Sequence, residues 1–231
     1  MNTSEKLQDI QKALENFDAQ LIAVSKTKSP AQIWEAYEAG QRHFGENLVQ
    51  ELTEKYEVLP KDIIWHQIGH LQRNKVKYIA PFIGLIHSVD SLKLLQEINK
   101  QAVKANRVID CLLQIRISDE ETKFGLEYAD AIELLRSEEY QELQNVRIVG
   151  LMGIASNSSS EKVVREEFKD LKVLFQGIKA SFFRHDDFFK ELSMGMSSDY
   201  KLALEEGSTM VRVGSLVFGE RDYSQKDEDG N

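Results

Sequence analysis

In LIAVSKTKSP, residues 21–30, an apolar run leads into Ser25, Lys26, Thr27 and Lys28. Burial at the end of such a run disfavours an ammonium, and the neutral amine can then add to a carbonyl. Lys26 is therefore a Schiff-base candidate. The alternative on this stretch alone is a stem lying on apolar surface with its charge in water. Two segments at the far end of the chain offer anion chemistry. In SMGMSSDYKLA, Ser197 supplies a hydroxyl, and a helix start supplies backbone N–H groups. In VRVGSLVFG, Gly214 removes a side chain that would obstruct a phosphate, and the N–H and hydroxyl of Ser215 can donate to it. An amine and two anion nests, brought together, describe a site for a phosphorylated aldehyde.

Other residue clusters could point to other chemistry. His66 and His70 have the i,i+4 spacing of helical metal ligands, but Ile68 and Gly69 lie between them where a strand ends. Hydrogen-bonded histidines at the rim are expected, and no metal. The pair Met194 and Met196 reads as packing. Arg73, Lys75 and Lys77 in LQRNKVKYIA read as a solvated helix face. No GxGxxG, Walker, GxSxG or calcium-loop pattern occurs, which removes the usual nucleotide, hydrolase and calcium readings. With 29 Lys+Arg against 38 Asp+Glu, the net charge of −9 opposes nucleic acid and anionic membranes as general partners. The single cysteine, Cys111, lies inside an apolar run and is expected to be a buried, inert thiol in a reducing compartment. The charged N-terminal stretch has no apolar leader core, and the reading expects a cytoplasmic protein.

Elements that could position these groups follow from the hydrophobic pattern. Leu7, Ile10, Leu14 and Phe17 predict one face of an N-terminal helix over residues 1–18. Ser29, Pro30 and Gly40 suit the N-cap, first turn and end of a helix after LIAVSK. Helices are also predicted over LVQELTEKYEVL, LQRNKVKYIA, residues 91–106 and residues 128–139. A further helix opens after a capping box of Ser158 and Glu161. Strand candidates lie near residues 21, 43, 63, 85, 108, 146, 189 and 210. Eight apolar strands alternating with helices predict a parallel sheet buried on both faces, best closed as a single (β/α)8 TIM barrel; an open doubly wound sheet is the rival. One unit over residues 1–222 is expected, with a frayed polar tail at 223–231. In a barrel, function collects where the strands exit. There the sequence offers Lys26, Lys28, Glu46, Asn47, His66, His70, Ser88, Asp90, Arg116, Ser118, Lys123, Ser156, Asn157, Ser197, Ser198, Asp199, Arg212, Gly214 and Ser215.

AVSKTK, FGEN, WHQIGHLQRNK, GLMGI, SMGMSSDYKLAL and VRVGSLVFGE occur in that order along the chain. Together they resemble the YggS/PROSC family of pyridoxal 5′-phosphate (PLP) homeostasis proteins, whose fold is similar to the barrel domain of alanine racemase. The resemblance implies PLP as cofactor, held as a Schiff base on Lys26, with its phosphate on Ser197, Gly214 and Ser215. It implies Arg212 at the pyridine nitrogen and Asn47 near the ring; His66, at the third strand exit, is expected among the cofactor-binding residues with them. Lys123 matches a lysine implicated in PLP handling, and an exposed loop lysine is its other reading. Gln67 departs from the pattern, where an aromatic or aliphatic residue is expected, and this puts the pocket wall near the third strand in question.

An arginine at the pyridine nitrogen keeps it unprotonated and weakens the ring as an electron sink. The alanine racemases add a second base, a tyrosine, from a further domain, which this reading does not expect here. A PLP carrier without substantial catalysis, monomeric and passing PLP to apo-enzymes or amino acids, is therefore the first hypothesis. A low-activity PLP-dependent racemase or lyase is the second. A barrel binding a phosphorylated metabolite, with Lys26 as counter-charge, is the third.

Overall fold

The computed structural model describes residues 2–118 and 124–219. Its strands are β1 (Gln20–Val24), β2 (His43–Glu46), β3 (Ile64–Gln67), β4 (Leu85–Val89), β5 (Ile109–Ile115), β6 (Val146–Gly153), β7 (Glu191–Met196) and β8 (Met210–Val213). They pair in parallel and in sequence order. β8 returns to β1 in the register Gln20↔Met210 to Ala23↔Val213, so the ring is closed and the open-sheet alternative is excluded. All eight strands fall where the apolar runs predict them.

The helices are α1 (Thr3–Leu14), α2 (Pro30–Glu38), α3 (Val49–Val58), α4 (Val76–Ile79), α5 (Leu92–Lys104), α6 (Tyr128–Arg136), α7 (Glu138–Gln141), α8 (Glu161–Phe182), α9 (Tyr200–Glu205) and α10 (Ser215–Phe218). α1 buries Leu7, Ile10 and Leu14 but stops before Phe17, which is partly exposed beyond its end. Its start is fixed by a capping box between Asn2 and Glu5. The predicted cap at Ser29 is present, reciprocated by Gln32 with Pro30 in the first turn, and Gly40 follows the end of α2 at φ +96°. The capping box of Ser158 and Glu161 is not formed. Ser160 occupies the N-cap of α8, and the Ser158 hydroxyl accepts from the Ser160 N–H instead. The predicted helix over 128–139 breaks at Ser137, whose hydroxyl caps α7 by accepting from the Tyr140 N–H. LQRNKVKYIA contracts to a 3-10 turn at Arg73–Lys75 and the single turn of α4.

Strand alternation divides the core in two. Residues such as Leu21, Ala23, Phe44 and Trp65 pack outward under the helices, whereas Ile22, Leu85, Leu112, Val149, Met152 and Met210 form a smaller cluster filling the barrel. Cys111 is fully buried among the outward set, and burial drives its thiol far above the ordinary range. No helix among the described residues is long and apolar enough to cross a membrane.

Candidate functional site

The chain leaves β1 through a turn that Lys28 closes by donating its N–H to the Ser25 carbonyl at 3.0 Å. Thr27 adopts φ +65° in that turn, a region costly for a β-branched residue, so something must hold it. The Thr27 N–H donates to the Glu51 carboxylate of α3. Beneath it lies Lys55, 4% exposed, whose ammonium donates at 2.7 Å to each of the Ser25 carbonyl, Glu46 and Glu51. The Ser25 hydroxyl donates to the same Glu46 oxygen. Burial raises the Glu46 carboxyl to about 7 although Lys55 and Ser25 pull the other way. This knot fixes the backbone that presents Lys26. Its members Lys55 and Glu51 were not singled out from the sequence, although their i,i+4 spacing on one helix is a readable signal.

Lys26 and Lys28 line a cavity of about 510 Å³ at the exits of the strands, together with Asn47, Ser197, Arg212, Gly214 and Ser215. Lys28, one of the residues predicted at the strand exits, thus shares the cavity with Lys26. Gly195 lets β7 end against α9: it has φ +92°, and an added Cβ would stand 2.5 Å from the Ala203 Cβ. Asp199 then accepts from the Met196 N–H, closing the turn that carries Ser197. The Ser197 hydroxyl accepts from the Gly214 N–H at 3.2 Å, which ties the two predicted anion segments together. At Gly214 a Cβ would press on the Val24 carbonyl at 3.2 Å, so the glycine serves the approach of β8 to β1.

Arg212 is 4% exposed at the cavity floor. Burial pulls its guanidinium down to about 10, partly offset by Asp199. It donates to the Ser193 hydroxyl at 2.6 Å and to the Gly153 carbonyl at 3.0 Å. Among the described residues no carboxylate lies within ion-pair distance of it.

His66 does not join these residues. It is 2% exposed inside the barrel and hydrogen-bonded to His43 and His87. Strand alternation explains the difference, because the next inward position on that segment, Ile68, is the one that reaches the cavity. The rim position expected for this histidine is likewise not observed. His70 does stand at the rim, 3.3 Å from Asp90 and stacked on Phe124. Gln67 is not a pocket wall. It points outward, and its amide donates to the carbonyls of Asn47 and Gly69. Glu46 and Ser88 are buried rather than presented at the exits, whereas Ser118, also buried, lines a neighbouring cavity. Lys123 and residues 223–231 lie outside the described residues. No group of three or more potential metal-ligating side chains occurs among the described residues. A second cavity, about 690 Å³, adjoins the first and shares Asn47, Ile68 and Ile154 with it; Arg116, Ser118 and Phe124 stand on its far side.

The alanine racemase N-terminal domain family matches residues 2–222. A protein of Aquifex aeolicus called pyridoxal phosphate homeostasis protein is 43% identical, over 96% of this chain and all of that protein. The chain belongs to the pyridoxal phosphate homeostasis family. The Escherichia coli member is 40% identical over 89% of this chain and 87% of its own. PipY of Synechococcus elongatus, solved with PLP bound, is 37% identical and superposes with a TM-score of 0.85, covering 94% of this chain and all of PipY. Alanine racemase of Bartonella henselae shares the fold at a TM-score of 0.68 and 16% identity, over 95% of this chain and 60% of the racemase. The homeostasis family therefore shares the barrel of the racemases, as the motifs imply.

Proposed function

We propose that this protein binds PLP in the cavity at the exits of β1, β7 and β8, holds it as a reversible Schiff base on Lys26, and serves PLP homeostasis as a carrier without substantial catalysis. The observation that carries this reading is the convergence of Lys26, Asn47, Ser197, Arg212, Gly214 and Ser215 on one cavity of about 510 Å³ in a chain of this family. The donor set suits the ligand. Ser197 and Ser215 offer hydroxyls to a phosphate, and Arg212 is a buried cation without a carboxylate beside it among the described residues. PLP supplies an aldehyde and an electron-withdrawing ring. Arg212 at the ring nitrogen excludes a proton there by its fixed charge, which weakens carbanion chemistry and favours holding over turnover. Asn47 flanks the ring, and Lys28 adds a second lysine to the cavity lining. In this reading the protein works in the cytoplasm as a monomer that yields PLP to apo-enzymes or amino acids.

Borohydride trapping is the test. Protein mixed with PLP turns yellow, and reduction fixes the label on Lys26 in a peptide digest. A label on another residue, or an undiminished label in Lys26→Ala, overturns the assignment. Sustained turnover of any amino acid in a chirally resolved assay would move the reading to a racemase or lyase. Tight binding without colour would leave Lys26 as a counter-charge to a phosphorylated metabolite.

A further inference from the structure

The barrel interior holds three histidines that the PLP site does not use directly. His43 Nδ1 lies 3.0 Å from His66 Nε2, and His66 Nδ1 lies 2.9 Å from His87 Nε2. His87 Nδ1 lies 2.9 Å from the Ser193 hydroxyl, which accepts from Arg212 at 2.6 Å. A single head-to-tail chain thus runs from half-buried His43 to the cavity floor, crossing β2, β3, β4, β7 and β8. Burial lowers the proton affinity of all three rings, and repulsion from His66 and Arg212 adds to it at His87, which favours the neutral ring, with one donor and one acceptor, at each position.

Arg212 has donors only, so Ser193 accepts from it. The Ser193 hydroxyl must place its own proton, and among the described residues its one remaining partner is His87 Nδ1. The opposite orientation would leave a buried O–H donor unsatisfied. His87 then carries its proton on Nε2 and donates to His66 Nδ1. His66 in turn donates from Nε2 to His43 Nδ1. Every acceptor lone pair in the chain faces toward Arg212, and the dipoles align with their negative ends toward the buried guanidinium.

We propose that Ser193, His87, His66 and His43 form a positioning relay for Arg212, holding its guanidinium at the cavity floor and stabilising its charge with aligned neutral dipoles. These are positioning residues, since none of the four is among the residues lining the cavity. The inference rests on the reading above only for what Arg212 meets; the chain itself belongs to the ligand-free protein.

Two measurements test it. In ligand-free protein labelled with 15N-histidine, two-bond 15N–1H correlation should show His87, His66 and His43 as neutral rings protonated on Nε2. In Ser193→Ala the ring nitrogens of His87 and His66 should shift together, and in Ser193→Thr, which keeps the hydroxyl, they should not. A protonated ring, or His87 protonated on Nδ1, overturns the relay. So do His66 nitrogens that are unmoved in a folded Ser193→Ala variant. By absorbance titration, Ser193→Ala should bind PLP roughly ten- to a hundredfold more weakly, as expected for losing a hydrogen bond to a charged group, with affinity restored in Ser193→Thr. Unchanged affinity and spectrum in Ser193→Ala would overturn the positioning role. Absence of PLP binding by the parent would instead overturn the proposed function and leave the tautomer result standing.

Discussion

Lys55 has a greater share in the geometry of Lys26 than its place on a helix suggests. Its three acceptors join the turn after β1, the end of β2 and the first turn of α3, and two of its partners are carboxylates. Removing the ammonium breaks all three of these bonds at once and leaves the buried Ser25 carbonyl and Glu46 without that donor, so Lys55→Ala should cost about 3–5 kcal/mol in urea denaturation. Glu46→Gln should cost clearly less, because burial already favours the neutral carboxyl. Equal costs would show that the ion pair, not the burial of Glu46, governs the knot. That Lys26 and Arg212 would line one cavity was legible in the sequence because both were placed at strand exits, where barrel topology gathers polar groups. His66 was misread for a reason of phase: it lies one inward position deeper than Ile68, and only strand register reveals that depth. The histidine relay was not legible at all. The ladder pairs His66 with Gly45 rather than with His43, so the two rings meet only through the stagger of the barrel.

At the scale of elements, the predicted strands were accurate because parallel strands buried on both faces read as continuous apolar runs. Helix boundaries were less so, since caps compete locally. Ser29 with Gln32 prevailed at α2, whereas Ser160 displaced Ser158 at α8. The α2 cap stands directly after the turn bearing Lys26, and its loss has two consequences. Ser29→Ala should lower stability by about 1 kcal/mol, the usual worth of an N-cap hydroxyl, measured by thermal or chemical denaturation. If Lys26 takes up PLP as proposed, it should also slow formation of the yellow complex in stopped-flow, because the turn loses its downstream anchor. A full cap penalty with unchanged kinetics would separate the helix start from the site.

Across the whole molecule, the buried histidines set the response to acid. His66 is lowered to about 3 from 6.5, and His87 is also well below its ordinary value. Between those values the unfolded chain binds protons that the folded one refuses, so this stability is present above about pH 6.5 and is lost as pH falls toward the folded values. Glu46 works in the opposite sense: raised to about 7 from 4.5, it loses stability as pH rises through that interval. Two fully buried rings outweigh one carboxyl. The urea midpoint should therefore be lower at pH 5 than at pH 7, and the difference should shrink in His66→Gln. A midpoint higher at pH 5 would mean that Glu46 dominates.

The pairing of β1 with β8 brings Lys26 within one cavity of Arg212, Gly214 and Ser215, although almost the whole chain separates them in sequence. The eighth strand of the ring therefore completes both the barrel and the candidate site, and a ligand bridging the two segments would act as a clasp on that seam. Occupancy by PLP should slow amide exchange along residues 20–24 and 210–213 more than in β4 and β5, by the linkage between binding and opening. Uniform protection around the ring would show that the barrel opens only as a whole, and the seam would then be no weaker than the rest.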